Sequence, residues 1–271
     1  MLPIRLVTAL SCYLRHYNHT TTMSYHLFLP PDYGLCNRLR GYVGAYAYAK
    51  QKNATLHVLW KRSKACPYRI EDLFEPLPNT QFITQEQRDA TTYEIVTNDV
   101  GDLPEILTKN GLSPSLTPIL IASLVPVAPI RAQLRGLKEK LSLRTSVGLH
   151  IRRTDHVAFA DRYGGSTALE VFWRVADTSP DRPVYVACDD PAILTEAVRK
   201  YGSRVHTAKP FGEPASSLRL TDGEHAILDL YCLALCDQFQ GSRLSSFTSH
   251  VEYLRQAWSL SGSLREMFMM A

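Results

Sequence analysis

The sequence lacks the signatures that fix a function outright. It contains no G-x-G turn and no G-x-x-x-x-G-K-[ST] run, which removes the usual support for dinucleotide-dependent oxidoreductases and P-loop kinases. H-E-x-x-H and G-x-S-x-G are also missing, against zinc proteases and serine hydrolases. There is no D-x-D, the acidic pair that clamps a metal on many nucleotide-sugars. Cysteine is scarce: Cys12, Cys36, Cys66, Cys188, Cys232 and Cys236 include no C-x-x-C pair, so zinc ribbons and thioredoxin-like motifs have no basis. Six cysteines in 271 residues are too few for a disulfide framework, and Cys232 and Cys236, four apart in an apolar run, read as buried thiols. No apolar run approaches the roughly 18 residues of a membrane helix.

What is present is ordinary for a globular chain: 45% hydrophobic and 21% charged residues, which excludes disordered, collagenous and coiled-coil classes. Thirty basic residues against 26 acidic ones leave a net charge of +4. That excess is mild and not blocked into runs, so it suits a small anionic ligand better than a nucleic-acid track.

The first 22 residues read as an extension whose opening Met1–Leu10 is weakly signal-like, with the folded core starting near Met23. The triplets Asn18-His19-Thr20 and Asn53-Ala54-Thr55 are glycosylation sequons of a kind that arises often by chance. From Tyr25 the text alternates strand and helix. Tyr25–Leu29 reads as a strand, Pro30–Gly34 as a break, residues 37–52 as a helix rich in small residues, and Thr55–Trp60 as a strand. This is a βαβ unit with a right-handed parallel crossover. The middle is broken by Pro114, Pro118, Pro126 and Pro129 before an amphipathic helix over 130–141, and the expected lobe boundary lies near Leu143, giving lobes 23–143 and 144–271. The second half predicts strands at 146–152, 184–188, 204–208 and 237–241, with helices at 167–176, 191–201, 224–235 and 246–259. Regular alternation implies an α/β doubly wound architecture in two lobes, whose ligands bind beyond the carboxyl ends of strands.

Four constellations occupy such ends. In Gly34-Leu35-Cys36-Asn37-Arg38-Leu39-Arg40, glycine permits close backbone approach, the following helix start favours an anion, and Asn37 and Arg38 add donors; a tight turn with solvated arginines explains the same text. In His150-Ile151-Arg152-Arg153-Thr154-Asp155-His156, alternation along a strand points His150 and Arg152 the same way, and arginine's planar fork matches phosphate oxygens. Asp189-Asp190-Pro191 follows an apolar strand; Asp190 suits an N-cap before Pro191, while Asp189 is a candidate for the crevice. Asp229, inside an apolar helical stretch, needs a partner such as a purine amino edge or an arginine. Gly241-Ser242-Arg243-Leu244-Ser245-Ser246-Phe247 reads as a phosphate cradle at a helix start, or as Ser246 capping that helix.

Three stretches resemble the core α1,6-fucosyltransferases and the related nodulation fucosyltransferases: Val147–Asp155, Val184–Pro191, and Ile227–Asp229 continued through Gly241-Ser242 to Ser245-Ser246-Phe247. Order and spacing match over Val147 to Leu254, and Gly34–Leu39 is similar to the glycine-asparagine loop of the wider superfamily. The resemblance implies a GT-B fold with two Rossmann-like lobes, a donor site in the cleft, an acceptor-side first lobe and a nucleotide-sugar-binding second lobe. It implies inverting, metal-independent transfer from GDP-fucose to a glycan hydroxyl, with no cofactor and no metal ligand. His150 and Asp229 would contact guanine, Arg152 the β-phosphate with Arg153 supporting, Ser245 and Ser246 the diphosphate, and Asp189 and Asp190 would line the crevice.

Two departures stand out. The lysine that follows the Arg-Arg-Thr-Asp run in those enzymes is His156 here, and their next glutamate falls in Val157-Ala158-Phe159-Ala160. The general base is therefore open among Asp155, His156 and Asp161, beside Arg152 as the charge-stabilising group. Other readings are a non-catalytic nucleotide-sugar or glycan-binding module of the same fold, motivated by the missing glutamate, and a different phosphoryl-handling α/β enzyme. The expected partners are a GDP-sugar donor and an oligosaccharide acceptor, without nucleic acid or a firm membrane span. The expected compartment is the cytoplasm, with the Golgi lumen as the alternative if residues 1–22 are the remnant of an anchor.

Overall fold

The computed structural model describes residues 24–89, 94–96, 101–208 and 222–261. The expected N-terminal extension, with Cys12 and the Asn18 sequon, lies outside the described residues.

The elements run β1 (Ser24–Phe28), α1 (Leu35–Gln51), β2 (Thr55–Leu59), β3 (Thr80–Phe82), α2 (Gln85–Asp89), β4 (Glu94–Val96), α3 (Leu103–Lys109), α4 (Thr117–Ala122) and α5 (Ala128–Leu141). They continue with β5 (Val147–Ile151), α6 (His156–Arg162), α7 (Leu169–Asp177), β6 (Val184–Cys188), α8 (Pro191–Tyr201), β7 (Val205–His206), α9 (Gly223–Leu235), β8 (Gln238–Gly241) and α10 (Ser246–Leu260). Two four-stranded sheets form, ordered β3-β2-β1-β4 and β7-β6-β5-β8, and every pairing is parallel. In each sheet the strand order reverses beside the first strand of its half, the point where α/β sheets bind ligands.

The chain divides into two compact units at Val125/Pro126. This moves the boundary expected after Leu143, because α5 packs on α9 and so belongs with the second half. In the first unit, α1 lies close against α3: a Cβ added at Gly44 would come within 2.7 Å of Ile106 Cγ2, so only glycine permits that spacing. The strand β3, the short helix α2 and α4 were not anticipated from the sequence. Each is six residues or shorter, too short for a hydrophobic period to develop.

The second unit is built around β5, which is buried at all five positions. Val147, Leu149 and Ile151 pack with Phe172, Trp173 and Ala176 of α7, with Val184 and Val186 of β6, and with Ala197 and Tyr201 of α8. Covering on both faces is why these parallel strands read as continuous apolar runs. Truncating a fully buried ring such as Phe172 costs about 3–5 kcal/mol. The helix α8 starts where expected: Asp190 accepts the Ala192 N–H at 2.9 Å, Pro191 fills the first turn, and Gly202 ends the helix at φ +58°. No helix among the described residues is long and apolar enough to cross a membrane.

Candidate functional site

Parallel pairing sets His150 of β5 opposite Gly241 of β8, so the residues after both strands share one sheet end. His150 is 6% exposed, its ring stacked on Phe247 (centroids 4.6 Å, planes 25° apart) and its Nδ1 2.8 Å from Thr248 Oγ1. Thr248 fits there because residue 241 has no side chain: a Cβ would fall 2.3 Å from Thr248 Cγ2. Burial, then the electrostatic effect of Arg152 and His156, pushes the His150 imidazole down to about 3. At neutral pH it is an uncharged ring whose Nε2 makes no hydrogen bond to the described residues, and so is free to recognise a polar edge.

Ser242 ties the two strand ends together. Its hydroxyl accepts the Arg152 N–H at 2.9 Å and lies 3.2 Å from the His150 carbonyl, to which the Ser242 N–H also donates at 3.0 Å. Asp189, at the end of β6 and 7% exposed, organises the loop beyond. Its Oδ1 accepts the Arg153 N–H (2.7 Å), and its Oδ2 accepts the Thr154 hydroxyl (2.6 Å) and the Arg152 Nε (3.1 Å). Arg152 Nη2 pairs with the exposed Asp155. Nη1 of Arg152 makes no hydrogen bond or ion pair to the described residues, which leaves one edge of the guanidinium for a ligand. Arg153 turns away and donates to the Thr167 carbonyl at 3.3 Å.

The loop from β8 to α10 closes the group. His156 Nε2 lies 2.7 Å from the Arg243 carbonyl, the Arg243 N–H donates to Thr167 Oγ1 (2.9 Å), and its guanidinium donates to the Gly164 carbonyl (3.1 Å). Leu244 follows in the left-handed region at φ +58°, exposed, a backbone state that costs a non-glycine residue about 1–2 kcal/mol. It leads into Ser245 and Ser246, whose hydroxyls make no hydrogen bond to the described residues, at the head of the 15-residue α10. A helix start carrying two serine hydroxyls without protein partners is a fit for phosphate oxygens.

Asp229 belongs to a separate set of contacts. On α9 and half-buried, it accepts the Tyr185 hydroxyl at 2.7 Å. Burial raises its carboxyl to about 7, against the opposing effect of the Tyr185 bond, while the Tyr185 phenol is pushed well up by burial and by Asp229.

Several expected ligands have other work. Asp190 is the α8 cap, and its Oδ1 is spent on Ala192. Asp189 is a positioning group whose two oxygens are already filled. Asp161 accepts the Ser166 N–H at 2.9 Å, which holds its carboxyl below the usual carboxylate range and makes it a poor base. The largest correction is Arg38. It is fully buried, its guanidinium donating to the carbonyls of Tyr33 (2.8 Å), Pro31 (3.1 Å) and Lys61 and to Ser63 Oγ (2.9 Å). It folds the loops after β1 and β2 onto each other instead of facing a ligand. Gly34 holds the N-cap position of α1 in extended backbone, and the Asn37 side chain makes no hydrogen bond to the described residues. Thr154, Tyr185, Ser242, Phe247 and Thr248 were not singled out from the sequence as site residues. Thr154, Tyr185, Ser242 and Phe247 fall within the motifs described above, whereas Thr248 carries no signal until the strands are paired. Among the described residues no group of three or more His, Cys, Asp or Glu side chains is placed to hold a metal ion.

No protein-family model matches the chain, and no curated protein matches it by sequence. Solved structures do. The NodZ α1,6-fucosyltransferase soaked with GDP-fucose aligns at 16% identity and a TM-score of 0.56, over 86% of this chain and 92% of that one. The fucosyltransferase NodZ from Bradyrhizobium aligns at 15% identity and a TM-score of 0.58, over 86% and 93%. POFUT1 in complex with GDP aligns at 14% identity and a TM-score of 0.55, over 88% and 96%. The likeness at this identity is one of fold: the chain has the α/β, two-sheet GT-B architecture of these fucosyltransferases.

Proposed function

We propose that the protein is a glycosyltransferase that moves fucose from GDP-fucose to a glycan hydroxyl, in one displacement with inversion and without a metal. The fold is shared with fucosyltransferases whose structures were obtained with GDP or GDP-fucose, which supports the donor class. The observation that carries the reading is the Arg152 guanidinium, braced by the nearly buried Asp189 on a loop that Ser242 ties to the β8 end leading into Ser245, Ser246 and α10. When the bond from the anomeric carbon to the diphosphate breaks, negative charge grows on the β-phosphate. A preorganised arginine and a helix N-terminus stabilise that charge where other enzymes use a divalent ion. The neutral His150 and the Asp229 carboxylate are assigned to the guanine edge, the first as a hydrogen-bonding ring and the second as acceptor for the N1–H and amino donors. The five described cysteines are free thiols, which supports the cytoplasm as the compartment.

A second reading, a binding module without turnover, is favoured by one observation: Asp155 and Asp161 are both engaged, with Arg152 and Ser166. A thermal-shift titration with GDP, GDP-fucose, GDP-mannose and UDP-sugars, with and without EDTA, tests the donor site. A ligand at 100 times its Kd adds about 2.7 kcal/mol of stability. Stabilisation by GDP and GDP-fucose, unchanged by EDTA and lost in Asp229→Ala, is expected. A response only to UDP compounds, or only with metal, refutes the proposal. GDP binding without release of GDP from GDP-fucose selects the module.

A further inference from the structure

We infer that Nδ1 of His156 is the base that takes the proton from the attacking hydroxyl. The inference rests on the glycosyl-transfer reading above and supplies the group which that reading lacks. His156 opens α6, directly after the loop that carries Arg152. Its Nε2 lies 2.7 Å from the Arg243 carbonyl oxygen. A carbonyl only accepts, so Nε2 carries the hydrogen, and in the neutral ring the basic lone pair is on Nδ1. No hydrogen bond to the described residues engages Nδ1.

The orienting carbonyl is itself held. The Arg243 N–H donates to Thr167 Oγ1 and its guanidinium to the Gly164 carbonyl, so the chain that follows α6 is stitched to the residue that His156, its first residue, contacts. The imidazole is thus fixed in one tautomer by a backbone group, the arrangement a general base requires. Exposed aromatic rings lie beside the imidazole. Phe159, three residues on along the helix, and Tyr163, at its C-cap, are 51% and 59% exposed. Their rings are 4.9 Å apart, and that of Phe159 is 6.0 Å from the imidazole. Neither carboxylate nearby competes: Asp155 is paired with Arg152, and Asp161 holds the Ser166 turn.

In the step itself the acceptor oxygen bonds to the anomeric carbon. The bond from that carbon to the β-phosphate oxygen breaks, with its electron pair staying on phosphate, and the acceptor's proton passes to Nδ1. Solvent then takes the proton from the imidazolium. Water in place of a glycan hydroxyl follows the same course and gives free sugar and GDP.

The informative variant is His156→Gln, whose amide N–H reproduces the Nε2 donor to the Arg243 carbonyl and has no basic lone pair. Release of GDP from GDP-fucose is followed with water as acceptor and with added sodium azide, beside a GDP thermal shift. The variant is expected to bind GDP as the wild type does and to hydrolyse GDP-fucose roughly 100- to 10,000-fold more slowly. Azide, an anion that attacks without shedding a proton, is expected to restore GDP release. Unchanged hydrolysis in the variant overturns the inference. So does a loss that azide leaves in place, or a wild type that binds GDP yet releases none from GDP-fucose with either nucleophile. Failure of the wild type to bind GDP refutes the donor reading instead, by a separate readout.

Discussion

Replacing Asp189 by asparagine isolates what holds the loop that carries Arg152. The carboxylate takes three donors: the Arg153 N–H, the Thr154 hydroxyl and the Arg152 Nε. An amide of the same shape keeps one acceptor and turns an NH2 group toward Arg152, so a charge-assisted bond becomes a donor facing a donor. Hydrogen bonds to charged groups contribute about 1.5–3 kcal/mol each. Asp189 is nearly buried, but the Arg152 side chain keeps 24% of its surface, so water relieves part of the loss. The expected destabilisation is about 2–3 kcal/mol, or roughly a 5–10 °C fall in Tm for the unit that carries it. Stability alone does not test the assignment, since any broken loop lowers Tm. The discriminating assay is calorimetric binding of GDP and GMP to the wild type and the variant. If Asp189 aims Arg152 at the β-phosphate, the preference for GDP over GMP shrinks by about 10- to 100-fold, while GMP affinity changes little. Equal weakening of both nucleotides, or an undiminished preference for GDP in a destabilised variant, refutes the reasoning.

Two further outcomes follow from buried charges. Arg38→Ala strips three carbonyls and a serine hydroxyl of a fully buried partner, and is expected to cost about 3–5 kcal/mol in urea unfolding; a change under about 1 kcal/mol contradicts the structural role given to it. The Asp229 carboxyl sits at about 7 in the free protein, and guanine donors favour its charged form, so binding releases a proton. GDP affinity is therefore expected to hold above pH 7 and to fall by about tenfold per unit below it, with the dependence gone in Asp229→Asn; a flat profile from about pH 6 to 8 removes Asp229 from the guanine site.

The architecture was legible because local and long-range signals agreed. β6 and α8 begin and end where expected, since an apolar run, an Asp-Pro start and a Gly stop all act within one turn. The parallel pairing, though not the strand order, followed from the same alternation. The His150–His156 segment was equally readable, because so many polar groups after an apolar strand have no packing use. Roles within it were not. Asp189 and Arg38 look alike in sequence, each a charge beside a strand end, and only the folded loops reveal that the carbonyls and N–H groups around them needed partners. The short helix α6 was missed for a related reason. Only Ala160 among its residues is buried, so no apolar period marks it.

The sheet order also bears on how the site comes into being. Ser242, on the residue after β8, anchors the Arg152 N–H across 90 residues of chain, and β8 pairs with β5 after β6 and β7 have already been synthesised. Parallel strands that meet over such separations form slowly, because loop closure must be paid before contacts return the energy. A nucleotide that uses the β5 and β8 ends together therefore has nothing to bind until this last strand has docked. On the proposed reading the ligand would favour the finished fold over every species lacking β8, so a GDP-sugar pool would act on the protein's maturation as well as on its turnover.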